Sequence, residues 1–496
     1  MNRKTWTTIL SLVAILTFLL AACAPAASAT QTTTSATEVT AQADDSAGST
    51  TASATTTTDN QPPAPPDGAP PTGGAGNPPP GSGTGGASID EGLSTATGAY
   101  TLDGGSASES GQTYTASNED QSGVYVNNGG QLTLTDATVD TSGNTSSDEN
   151  SSFYGLNAGV LAANGSTVDM TGGSITTSGT GANGAFAVGS GSVVNLTNVT
   201  INATGDGGHG VMTTQGGAMT LTDVTLITSG AHSAPVATDR GGGTITTSGD
   251  IITTSGTDSP CYYSTGSITV SNATCNALGS EAVVIEGANS VTLTDSSLSS
   301  SVDAKWGVMI YQSFSGDAQG TDGVFNMTGG SLAYTATNGP LFYITNSTGN
   351  ITLKGVTVTA ASGTLVQAAA NDRWGTSGSN GGTALLVADS QTLNGNLVAD
   401  NLSTLTITLQ NGSTLTGAVN AENTAKSATL TLDSSSTWNV TADSYLSCLN
   451  GAAISGTSIT NIVGNGFTVT YDPNSCPALN GQTYTLSGGG TLQPAQ

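Results

Sequence analysis

The sequence predicts an all-β solenoid, and three observations carry that prediction. An apolar anchor recurs about every 25 residues, a second apolar position follows five residues beyond it, and between them lies a slot held only by Asp, Asn or Gly. The anchors are Leu134, Met170, Leu196, Leu221, Val270, Leu293, Met327 and Leu353. Five residues on stand Val139, Ile175, Ile201, Leu226, Cys275, Leu298, Leu332 and Val358; two residues on stand Asp136, Gly172, Asn198, Asp223, Asn272, Asp295, Gly329 and Gly355. These last residue types tolerate positive φ, so the slot marks a tight corner between two short strands. The interval from Leu221 to Val270 holds two turns, with a weaker intermediate expected near Ile245.

A third short strand is expected ahead of each anchor: Val124 and Val126, Val160 and Ala162, Phe186 and Val188, Val211, Val283 and Ile285, Val308 and Ile310, Leu341 and Tyr343. Inward apolar residues alternating with outward Thr, Ser or Asn make each face a parallel sheet. Residues 88–383 are read as the main coils, and 384–496 as C-terminal coils and cap, where Leu409 and Leu432, and Leu415 and Trp438, are each 23 apart. Excursions interrupt the coils at Thr141 to Ser152, Ser313 to Asp322 and Ala368 to Gly382, and loops on a rigid scaffold are where recognition is usually placed.

The pattern resembles the single-stranded right-handed parallel β-helix, three short strands per coil, of pectate-lyase-like proteins and autotransporter adhesin passengers; handedness is what the resemblance implies. The stretch Ser436 to Leu446 is similar to the terminal coil signature of those passengers, which implies a cap. No translocator barrel is expected after it.

At the N-terminus, Arg3 and Lys4 precede the apolar run Ile9 to Leu20, an export leader over 1–22. Leu20-Ala21-Ala22-Cys23 resembles a bacterial lipobox, which implies cleavage before Cys23 and a lipid on its sulfur. Ala24, in place of Asp, implies outer-membrane sorting in a two-membrane cell. The chain is thus expected to be exported and lipid-anchored to the cell membrane or outer membrane, facing the exterior. Residues 23–87 are Thr, Ser, Ala and Pro with few side chains to bury, so a disordered tether is expected there.

Charge narrows the partners. With 34 Asp+Glu against 7 Lys+Arg, the chain lacks the clustered cations that phosphate backbones need, so no nucleic-acid partner is expected. Besides Cys23 there are four cysteines, an even number that reads as two disulfides in an exported chain. Cys275 holds an inward slot and Cys261 takes one on the preceding strand, so a bridge across one coil follows; Cys448 and Cys476 are 28 apart, about one coil, and staple the C-terminal end. Without Cys-x-x-Cys or Cys-His clusters, no metal or cofactor is expected.

No catalytic residues are assigned. Gly208-His209-Gly210 matches a triplet that polygalacturonases carry, but no Asp pair adjoins it, and His209 and His232 read as a surface pair. Large side chains concentrate between Leu298 and Gly375, and Lys305, Trp306, Tyr311, Arg373 and Trp374 are the candidate ligand-binding residues. The expectation is an adhesin-like or envelope-structural surface protein that binds glycan, polysaccharide or a host or neighbour-cell protein without catalysis. The alternative is a polysaccharide lyase or glycoside hydrolase on the same scaffold. A third reading is ice binding, from outward Thr pairs such as Thr220 and Thr222.

Overall fold

The computed structural model describes residues 88–496; the leader over 1–22, the lipidation site Cys23 and the tether over 23–87 lie outside them. The described chain winds into a β-solenoid of about 16 coils. Each coil hydrogen-bonds to the next through parallel strands, which among the described residues collect into sheets of 12, 22 and 9 strands.

The corner slot is the device that turns the chain. Asp136, Asn198, Asp223, Asn272 and Asp295 have φ of 50°, 54°, 54°, 53° and 48°, and Gly172, Gly329 and Gly355 have 70°, 66° and 60°. Backbone bonds run unbroken through it: Asp223 N donates to Ser248 O at 2.9 Å, Gly249 N to Ser271 O at 3.0 Å and Asn272 N to Thr294 O at 3.0 Å. Gly249, φ 77°, is the corner of the hidden coil. Its anchor is not Ile245: Thr247 pairs with Leu221 and Val270. Thr247 escaped the sequence pattern because a polar residue fills an inward slot there.

That coil has a polar interior. Asp250 Oδ1 accepts from Val224 N at 2.9 Å, while Asp250 Oδ2, Thr247 Oγ1 and Tyr262 Oη are buried without a direct partner. Burial, foremost, raises the Asp250 carboxyl to about 6. Beside it, Cys261 and Cys275 form a disulfide with Cα atoms 6.3 Å apart; Cys448 and Cys476 form the second, at 4.8 Å.

The 12-stranded sheet differs from its expected pattern. Its inward residues are Val160 and Ala162, then Ala185 and Ala187, then Phe342 and Ile344. Phe186, Val188 and Tyr343 point outward, yet all three are buried, because a second apolar layer covers this face. At one end the cover is the helix Asp148–Tyr154, N-capped by Ser147 and ended by Gly155 at φ 74°. Gly155 is required: a Cβ there would lie 2.4 Å from Phe186 Cγ. At the other end the cover is Trp306 and Trp374 packed on Val284, Met309, Tyr311 and Tyr343.

Strands Thr437–Asn439 and Ser444–Leu446 are ordinary parallel coils, so the expected cap at Ser436 to Leu446 is not terminal. Ser444–Leu446 pairs with Thr468–Tyr471, which pairs with Thr491–Pro494. The chain closes on the antiparallel pair Tyr484–Ser487 and Thr491–Pro494, which occupies edge groups that another strand would otherwise join. No described helix is long and apolar enough to cross a membrane.

Candidate functional site

The outward face of the 12-stranded sheet carries one register row that runs Met212, Ala237, Tyr263, Val284, Met309, Tyr343. Tyr263 packs partly buried against both covers, the helix side and the Trp306 side. Polar groups gather beside it at the strand ends, where the chain leaves the sheet for its loops. Glu286 closes the strand Val283–Glu286, Tyr311 closes Val308–Tyr311, and Asp239 follows Val236–Thr238.

Glu286 is 2 % exposed and fully engaged. Its Oε2 accepts from Tyr263 Oη and from Tyr311 Oη, each at 2.7 Å, and Oε1 accepts from Ser313 Oγ. Burial raises its carboxyl above the ordinary range, and these three hydrogen bonds hold it back. Burial also pushes the Tyr263 and Tyr311 phenols well up, with the Glu286 charge as the next cause. Asp239 is raised well above the carboxylate range by burial and then by the charge of Asp317.

Arg240 ties two excursions together. Its Nε donates to Asp317 Oδ1 at 3.1 Å, its Nη1 lies 3.5 Å from Glu149 Oε1, and its guanidinium sits 3.6 Å from the centroid of the Phe153 ring. The acidic excursion at Thr141 to Ser152 and the one at Ser313 to Asp322 therefore meet over one sheet face. Phe314, near the start of the second, is 58 % exposed and held at φ 60°, with its N–H donating to Gln312 Oε1 at 2.7 Å. The result is a surface with a fixed exposed aromatic, one guanidinium and several carboxylates.

The structure brings four of the five sequence-derived candidates together. Trp306 stacks on Tyr343 with centroids 4.4 Å apart, Tyr311 tilts against Trp374 at 4.7 Å, and the Arg373 guanidinium lies 5.1 Å from the Trp374 ring. Trp306, Tyr311 and Trp374 are 1 %, 4 % and 6 % exposed, so they form the wall beneath the patch. Lys305 turns away to Asp258 and Glu281. Tyr263, Glu286, Asp239, Arg240 and Asp317 were not singled out by the sequence. Their signal was the continuous apolar run of each strand, which marks a sheet buried on both faces and so a covering layer with its own margin.

His209 and His232 lie on successive coils. His209 Nδ1 is 3.1 Å from Asn183 Oδ1, and burial, then the neighbouring His232, lowers its imidazole to about 4. Among the described residues no three His, Cys, Asp or Glu side chains form a group able to hold a metal. No protein-family model matches the chain, and no curated protein sequence is significantly similar to it.

Proposed function

We propose that the chain is an exported, lipid-anchored surface protein whose β-helix carries a binding patch for a glycan or a protein partner and performs no catalysis. The observation that carries this reading is Phe314: a large aromatic, well exposed, fixed by its own loop, in the same excursion whose Asp317 is paired with Arg240. Aromatic faces flanked by a few charges suit both sugar rings and protein hot spots. The lipobox at Cys23 and the resemblance to adhesin passengers supply the address. The Cys23→Ser chain, which cannot be lipidated, tests both parts. It should leave the membrane fraction, and when screened against glycans, wall polymers and cells it should bind without shortening any polymer. Failure to bind any of them would sink the adhesion reading.

A second reading, polysaccharide cleavage, is favoured by the carboxyl pair Asp239 and Glu286. Their backbones stand two coils apart, roughly 10 Å along the sheet, and an inverting glycosidase needs its acid and base separated widely enough to admit a water. Both are raised in pKa, as a general acid requires. Against it, Glu286 is buried and every one of its hydrogen bonds is internal. Polymer cleavage abolished by Glu286→Gln would establish this reading.

A further inference from the structure

At the corner that leads into the 12-stranded sheet, three successive coils place Asp258, Glu281 and Lys305 side by side. The register is fixed by backbone bonds: Tyr262 N donates to Ala282 O at 3.2 Å, and Ala282 N to Gly307 O at 2.8 Å. Lys305 reaches back across the middle coil, and its Nζ touches Asp258 Oδ1. Glu281 Oε1 lies 3.8 Å from the same Nζ. Side-chain exposure is 9 % for Lys305, 14 % for Asp258 and 0 % for Glu281, so bulk water is largely kept out. Glu281 Oε2 accepts from Ser280 Oγ at 2.5 Å, while Oε1 is buried with no hydrogen-bond partner. A surface ion pair needs none of this; a buried amine in contact with a carboxyl, next to a second carboxyl with one free oxygen, is the arrangement for amide formation.

We propose that Lys305 and Asp258 join through an intramolecular isopeptide bond, with Glu281 as the proton carrier. Proton transfer within the pair leaves a neutral Nζ amine and a protonated Asp258 carboxyl. Nζ then attacks Asp258 Cγ and the Nζ–Cγ bond forms. A further Nζ proton passes through Glu281 to one carboxyl oxygen, the Cγ–O bond breaks, and one water leaves. Atoms balance without an oxidant, a cofactor or a second protein, and Glu281 ends as it began. Burial of Glu281, the first cause of its raised carboxyl pKa, lets it hold and return a proton beside the amine. The product joins the first and third of these coils covalently, in addition to the Cys261–Cys275 disulfide nearby, and unlike that disulfide it resists reductants.

Intact mass spectrometry of the full chain after disulfide reduction tests this, with Lys305→Arg measured beside it so that leader processing and lipidation cancel. The wild type should be lighter than its expected mass by one water, Lys305→Arg should not, and proteolysis of the wild type should yield a branched peptide joining the Asp258 segment to the Lys305 segment. Glu281→Gln should leave most of the chain unlinked. A wild type at full mass with no branched peptide overturns the proposal, whatever the folding of the variants. A Glu281→Gln chain linked as completely as the wild type overturns the role given to Glu281.

Discussion

Tyr263 and Glu286 stand on neighbouring coils, and the phenol donates to the carboxyl oxygen at 2.7 Å. Tyr311 donates to the same oxygen from the next coil, so three strands are tied at one buried carboxyl. Removing a donor leaves that oxygen short of a partner. Tyr263→Phe or Tyr311→Phe should each cost about 2 kcal/mol in denaturant unfolding.

Glu286 also gives the fold a pH dependence. Burial raises its folded-state pKa above the unfolded value, so its contribution to stability belongs to the protonated form. That contribution is complete below the unfolded carboxylate pKa and is lost as pH rises through the folded one. Asp239, raised in the same sense, adds to the fall. Unfolding curves of Glu286→Gln should decline less steeply over this range than those of the wild type; parallel curves would contradict the assignment.

Asp250 makes a similar prediction inside the coils, with a narrower window. Its carboxyl is raised to about 6 by burial, so stability should fall between the ordinary Asp value and about pH 6. Asp250→Asn keeps the oxygen that accepts from Val224 N and removes the ionisation. The difference between the two pH profiles should amount to about 2 to 3 kcal/mol.

Corner glycines that follow a corner Asp are not replaceable. A Cβ at Gly249 would lie 2.2 Å from Asp223 Oδ1, and Gly172 and Gly329 stand in the same relation to Asp136 and Asp295. Gly249→Ala should cost about 1 to 3 kcal/mol, from the positive φ and the clash together. Adding Asp223→Gly should return part of that loss, since it removes only the clash. Additive losses in the double variant would contradict the contact.

How much of this was legible depends on what each residue must do. Asp136, Asn198 and Asp223 announced themselves because few residue types accept a left-handed corner, and Leu134 or Leu221 because an inward slot admits little that is polar. The Cys261–Cys275 pair followed from the same register, since Cys275 occupies the slot of Leu226 and Leu298, and the Cys448–Cys476 pair from a separation of about one coil. Phe186 and Tyr343 were placed on the wrong face because a strand covered on both sides loses its alternation. Asp239, Glu286 and Asp317 converge only after the coil offsets and loop insertions are summed, and those insertions follow no period. Lys305 was singled out as a large basic side chain, but its partner Asp258 was not, because the two stand two coils apart and 47 residues apart in sequence.

Binding by the Cys23→Ser chain and its Phe314→Ala variant, scored with polymer cleavage on the same glycan and wall-polymer panel, tests the functional account most directly. The prediction is a bound partner left intact by the parent chain, at least tenfold weaker binding by Phe314→Ala, and equal thermal stability of the two, because Phe314 is exposed. Shortened polymer products, or unchanged binding by Phe314→Ala, would contradict it.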